Sequence, residues 1–73
     1  MNNFANNILN EVYHRTAPGG FVTLDELITV YGRSGTDLRP FLEDLKEDGL
    51  IVEHPEGFQV SDHGRNTARS QWG

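Results

Sequence analysis

Residues 38–53 read LRPFLEDLKEDGLIVE, and this stretch combines a helix, a stop signal and the start of a strand. The spacing of its apolar residues is helical, because they fall at Leu38, Phe41, Leu42 and Leu45. Gly49 is typical of a residue that ends a helix, and the apolar run after it predicts an extended segment. We therefore expect helix 3 over about residues 37–48, followed directly by a strand.

The start of helix 3 has two candidate caps, Thr36 and Asp37. If Asp37 is the cap, Pro40 is the third helical residue, where its missing N–H costs no bond within the helix. Helix 3 is thus predicted to tolerate its proline.

The second half of the chain predicts a β-hairpin and a last helix. LIVEH and FQVS are two extended runs joined by PEG, in which Pro55 suits the second turn position and Gly57 tolerates a positive φ. The hairpin is expected over about residues 50–61. Ser61 can then cap a helix over about residues 62–70, which Gly64 and Asn66 weaken.

The first half predicts two helices. Apolar residues at helical spacing place helix 1 at about residues 3–16, with Asn2 or Asn3 as its cap and the glycines of TAPGG as its end. After a short extended FV, Thr23 and Glu26 have the spacing of a capping box, so helix 2 is expected at about residues 24–31, ending at Gly32. Four phenylalanines are expected in the core, at Phe4, Phe21, Phe41 and Phe58.

This order predicts one small α+β domain over residues 1–73, with a three-helix core, a hairpin and a short C-terminal helix. The chain has no cysteine, so no disulfide framework is expected and the core must hold the fold. It also has no apolar run of membrane length and no signal-peptide pattern. We expect a cytoplasmic protein that does not span a membrane.

LRPFLEDLKEDGLIVE followed by GFQVSDHGR resembles the third helix, wing and closing segment of winged-helix transcription regulators such as the MarR-like and PadR-like groups. The resemblance covers about residues 21–66 and implies a small winged helix-turn-helix that binds double-stranded DNA, with helix 3 in the major groove. By position it implies contacts to DNA from six residues, namely Arg33, Ser34, Thr36, Arg39, Lys46 and, on the wing, His54. Arg39 is the best candidate to bond a guanine edge, although it can instead pair with Glu43 one turn later.

The resemblance makes a DNA-binding transcription regulator the first expectation, and the charge distribution indicates an alternative partner. The net charge is −5, and residues 36–60 hold seven acidic residues against two basic ones. On a helix, the outward side of residues 37–48 is acidic, with Asp37, Glu43, Asp44 and Glu47 as the residues available to a partner. Such a face predicts an acidic protein-interaction module, an adaptor or phage-type inhibitor that binds a basic protein surface, unless the acids form only a solvated surface.

Residues for catalysis are not evident. His14, His54 and His63 lie on three different elements, so we expect no enzyme activity, no metal and no cofactor. Trp72 can fold back onto helix 1 or bind a second chain. Many winged-helix regulators pair through their terminal helices, so the resemblance also implies a homodimer through helix 1 and the C-terminal segment as a hypothesis.

Overall fold

A computed structural model describes residues 3–72, without the side chain of Trp72, and it contains four helices and a two-stranded antiparallel hairpin. The elements are α1 (Asn3–Thr16), α2 (Leu24–Tyr31), α3 (Gly35–Glu47), β1 (Ile51–His54), β2 (Gly57–Val60) and α4 (Asp62–Trp72). The expected small α+β class is confirmed. Asn2 and the Trp72 side chain lie outside the described residues. Between residues 3 and 72, no helix is both long enough and apolar enough to cross a membrane.

The predicted bounds of the first two helices are confirmed. The Thr23 hydroxyl accepts a hydrogen bond from the Glu26 amide at 3.1 Å, and the Glu26 carboxylate accepts one from the Thr23 amide at 3.0 Å. This reciprocal pair satisfies two amides at the start of α2 that have no partner within the helix. Gly32 ends α2 with φ 64°, a left-handed conformation that suits glycine.

Helix α3 starts earlier than predicted. Its cap is Ser34, whose hydroxyl accepts from the Asp37 amide at 3.1 Å, so the expected caps Thr36 and Asp37 are both inside the helix. In this register the proline no longer lies in the first turn, where a missing N–H is harmless. The bond that the carbonyl of Thr36 would accept from residue 40 is lost, because Pro40 has no N–H.

The hairpin has the predicted turn, and a third short segment extends it. Strand β1 pairs with β2 so that Ile51 lies opposite Val60 and His54 opposite Gly57, which has φ 141°. On the other side of β2, Val22 forms an antiparallel bridge with Phe58, with N···O distances of 2.9 and 2.7 Å. The link between α1 and α2 is therefore fixed to the hairpin.

One of the four phenylalanines expected in the core is not there. Phe58 is buried, and Phe4 and Phe41 are partly buried against the core, but Phe21 is 41% exposed. Successive side chains of an extended segment point to opposite sides, so the buried position of Val22 turns Phe21 outward. Its ring lies against His54, with 5.3 Å between the ring centroids.

Thr16 is a buried polar residue that joins α1 to the hairpin. Its hydroxyl donates to the Val12 carbonyl at 2.8 Å and accepts from the Val60 amide at 2.9 Å. Thr16→Val keeps the shape but leaves the Val60 amide without an acceptor, so the free energy of unfolding should fall by about 1–3 kcal/mol. Chemical denaturation measures this. Thr16→Ser retains the hydroxyl and is the control; equal stability of the valine variant and wild type would show that the bond contributes nothing.

Helix α4 is two residues longer than predicted and packs closely on the hairpin. Ser61 caps it as expected, since its hydroxyl accepts from the Gly64 amide at 2.9 Å. Gly64 was expected to weaken this helix, yet it is buried, and a Cβ atom there would lie 1.9 Å from the Leu50 carbonyl oxygen. The glycine therefore allows α4 to approach the start of the hairpin.

Candidate interaction surface on helix α3

The residues expected to contact DNA at the start of α3 have structural contacts of their own. The Arg33 guanidinium lies over the Phe4 ring, 4.4 Å from its centroid. Ser34 caps the helix, and Thr36 is exposed. Of these three side chains, only Thr36 has no hydrogen bond or ring contact with another residue between 3 and 72.

The two basic residues further along α3 are both held by carboxylates. Arg39 donates to both oxygens of Glu53 on β1, at 2.8 and 2.9 Å, and to Glu43 at 3.2 Å. Lys46 donates to the same two carboxylates, at 2.9 Å to Glu53 and 3.2 Å to Glu43. We call Arg39, Glu43, Lys46 and Glu53 the charge cluster. Its formal charges sum to zero.

The charge cluster shifts the proton equilibria of its members. The hydrogen bonds from Arg39, and then those from Lys46, lower the pKa of Glu53 to about 2. The hydrogen bond to Glu53 is likewise the main reason that the pKa of Arg39 and that of Lys46 are raised. All three groups are therefore ionised at neutral pH.

Glu53 is the residue of this surface that sequence reasoning did not single out. The Arg39–Glu43 pair one turn apart was anticipated as the alternative role of Arg39, but the bidentate pair with Glu53 was not. A signal exists in the strand pattern: Glu53 is two residues after the buried Ile51, so both point to the side of the hairpin that contacts α3.

Four other carboxylates, three on α3 and one on its C-cap, have no basic partner among residues 3–72. They are exposed and form what we call the acidic face, which consists of Asp37, Asp44, Glu47 and Asp48. Steps of about 100° per residue put Asp37, Asp44 and Asp48 on the side away from Arg39 and Lys46, and put Glu47 on the outward side between the two groups. Of the acidic residues predicted to face a partner, Glu43 thus belongs to the charge cluster, while Asp37, Asp44 and Glu47 remain available.

Two members of the acidic face lie where the helix itself disfavours them. Glu47 is the last residue of α3 and Asp48 is its C-cap. The partial negative charge at a helix C-terminus repels carboxylates. The acidic face is therefore retained at some cost in stability.

The hairpin adds no positive charge to this surface. Its tip consists of His54, Pro55, Glu56 and Gly57, so it has neither lysine nor arginine. His54 is half-buried against Phe21. The residue expected to contact DNA from the wing is thus partly covered by its own chain.

The remaining basic residues are dispersed. Arg15 pairs with Glu11 and Glu26, and Arg65 pairs with Asp62 and donates to the Ala17 carbonyl at 3.4 Å. The Arg33 guanidinium lies at the Phe4 end of α1, and Arg65 contacts Ala17 just past the opposite end. At 1.5 Å per helical residue, these two ends are about 20 Å apart. The two arginines do not form one basic patch.

No group of three or more His, Asp or Glu residues within the described range is arranged to hold a metal ion, and this part of the chain has no pocket. The charged side chains of α3 and β1 thus form the charge cluster and the acidic face. No protein-family model, curated protein or solved structure matches the chain.

Proposed function

We propose that the chain is a non-enzymatic winged-helix module that binds a basic protein surface through the acidic face of α3. One observation carries this proposal: the charge cluster neutralises both basic residues of α3, while four carboxylates on this helix and its C-cap stay unpaired among residues 3–72. A cytoplasmic location is part of the proposal.

The winged-helix assignment is supported by the arrangement of the elements. Three helices precede a hairpin, and the Val22 segment between the first two bridges to β2. The last of the three helices has its buried side on the core and its charged side outward. The Arg39–Glu53 pair links the outward side of α3 to β1, and this contact is compatible with the winged helix that we propose.

Electrostatics favours a basic protein over a nucleic acid. With a net charge of −5, the chain repels phosphate backbones at long range and attracts positive surfaces. Affinity for DNA normally comes from lysine and arginine that displace counterions from phosphates. On α3 such residues are already paired, whereas the acidic face can form new pairs with a partner.

A DNA-binding regulator is the second candidate. It is supported by the sequence resemblance and by Arg33 and Arg69, which make no ion pair with any residue between 3 and 72. For Arg39 and Lys46 to contact DNA, the charge cluster would have to open. A homodimer through α1 and the C-terminal segment remains a prediction.

The test uses a short fluorescent peptide rich in lysine and arginine as the basic partner. Asp44→Asn with Glu47→Gln should weaken binding of this peptide about fivefold, because two exposed ion pairs are lost. The matched control is Asp25→Asn with Glu56→Gln, which removes the same charge from two exposed carboxylates outside α3. Fluorescence anisotropy at low salt gives both affinities.

Measuring the free energy of unfolding of each variant shows whether weaker peptide binding comes from loss of the fold. Glu47→Gln should raise the free energy of unfolding by about 0.3–1 kcal/mol, because a carboxylate is removed from a helix C-terminus. Equal weakening in the α3 variant and its control would mean that net charge, not the acidic face, attracts the peptide. Tight binding of wild type to duplex DNA, with none to the peptide, would favour the second candidate.

A further inference from the structure

We propose that Arg39 and Lys46 form a phosphate-binding pair that the carboxylate of Glu53 occupies from within the chain, and that this carboxylate keeps α3 from binding the backbone of DNA. The proposal concerns the flank of α3 next to β1. It does not depend on the acidic face, so either proposal can fail alone.

The geometry at Glu53 is that of an oxyanion bound by a guanidinium fork. Two arginine nitrogens donate to its two oxygens, Nη1 to Oε1 at 2.8 Å and Nη2 to Oε2 at 2.9 Å. The Lys46 ammonium donates to the same Oε1 at 2.9 Å. Planar bidentate donation of this kind suits phosphate as well as carboxylate. Glu53 therefore takes the place that a phosphate oxygen pair would take.

Each of the two basic side chains has a contact besides Glu53, since Arg39 lies over the Phe58 ring and Lys46 donates to Glu43. Arg39 and Lys46 are seven residues apart, which puts them on one flank of α3 two turns apart. The Arg39 guanidinium lies over the ring of the buried Phe58, 5.5 Å from its centroid. Their positions do not rest on Glu53 alone, so the pair should persist without it.

The two basic side chains would be accessible to an external phosphate if Glu53 lost its charge, because the site is not buried. The side chains of Arg39, Lys46 and Glu53 are 40%, 31% and 30% exposed. Ion pairs at this exposure contribute little to folding stability, so the chain should stay folded when the charge of Glu53 is removed. The only other carboxylate in the cluster is Glu43, at 3.2 Å from both bases. Without the charge of Glu53, the remaining three members sum to one positive charge.

The experiment compares Glu53→Gln with Glu56→Gln in binding to a fluorescent duplex DNA of random sequence. Both variants lose one hairpin carboxylate, but Glu56 makes no ion pair with a described residue. Each phosphate contact contributes about 0.9 to the slope of log K against log salt. With two such contacts, from Arg39 and Lys46, lowering the salt from about 200 to 50 mM should strengthen DNA binding of Glu53→Gln about tenfold more than that of Glu56→Gln. Adding Arg39→Gln to Glu53→Gln should remove about half of the extra slope.

Equal salt dependence of DNA binding in the two single variants would overturn the proposal. So would a double variant, Glu53→Gln with Arg39→Gln, that keeps the full extra slope. Thermal melting checks that each variant is folded at the assay temperature. If Glu53→Gln is not folded, Glu53→Asp replaces it. Its side chain is one methylene shorter, which weakens the contacts with the two bases, so a smaller gain in the same direction is expected. Wild-type binding to a basic peptide reports on the acidic face separately.

Discussion

Gly64→Ala should destabilise the chain by about 3 kcal/mol, a large part of the stability of a domain of this size. The added Cβ would lie 1.9 Å from the Leu50 carbonyl oxygen and 3.0 Å from Cγ2 of Val60. The Leu50 carbonyl also accepts from the Ser61 amide at 3.0 Å, so it cannot move without breaking the junction between the hairpin and α4. Thermal or chemical denaturation measures the loss.

Gly35→Ala is the matched control, since it adds the same methyl group to another helical glycine. There the closest atom is Cδ2 of Leu24 at 3.2 Å, the far end of a flexible side chain. The alanine also favours helix, so the change should stay within about 1 kcal/mol of wild type. Similar effects at both glycines would mean that the contact of Gly64 with Leu50 is not a constraint.

Leu42→Ala should lower the free energy of unfolding by about 2–5 kcal/mol. The Leu42 side chain is fully buried, on the helix that contacts both α1 and β1. Truncation removes apolar burial and leaves a cavity that surrounding helices fill only in part. The midpoint of urea unfolding reports the change.

Val30→Ala provides the comparison, because Val30 is an apolar helix residue that is 41% exposed. This substitution should change stability by no more than about 0.5 kcal/mol. If the urea midpoint of Leu42→Ala were as close to that of wild type as the midpoint of Val30→Ala, Leu42 would not have the core position described here.

The predictions that held depend on short-range signals. The capping box of Thr23 and Glu26, followed by Gly32, determines both ends of α2 within ten residues. The hairpin follows from two extended runs and the turn residues Pro55 and Gly57. In these segments, local chemistry and tertiary packing favour the same structure, so the sequence was sufficient.

The start of α3 shows where local signals compete. Ser34, Thr36 and Asp37 can all cap a helix, and nothing in their immediate sequence ranks them. In the fold, Gly35 lies against Leu24 and Ile28 of α2, and Ser34 is the cap. The boundary thus coincides with a close approach to α2, which the immediate sequence does not show.

Gly64 and Glu53 were missed for the same reason. Helix propensity treats Gly64 as a weak point, and only the approach of Leu50 reveals that a side chain does not fit. The partner of Arg39 that could be foreseen was Glu43, four residues away, whereas Glu53 is fourteen residues away and on another element. Its role depends on how the hairpin packs on α3.

The unequal edges of the hairpin have a consequence for self-association. Strand β2 is covered on its outer side, since Phe58 pairs with Val22 and the Val60 amide is bound by Thr16. Strand β1 keeps an edge without a strand partner among residues 3–72, and this edge carries Glu53 with the side chains of Arg39 and Lys46 around it. Charged side chains oppose the addition of a foreign strand. The charge cluster therefore protects the one sheet edge of the described chain at which edge-to-edge aggregation could begin.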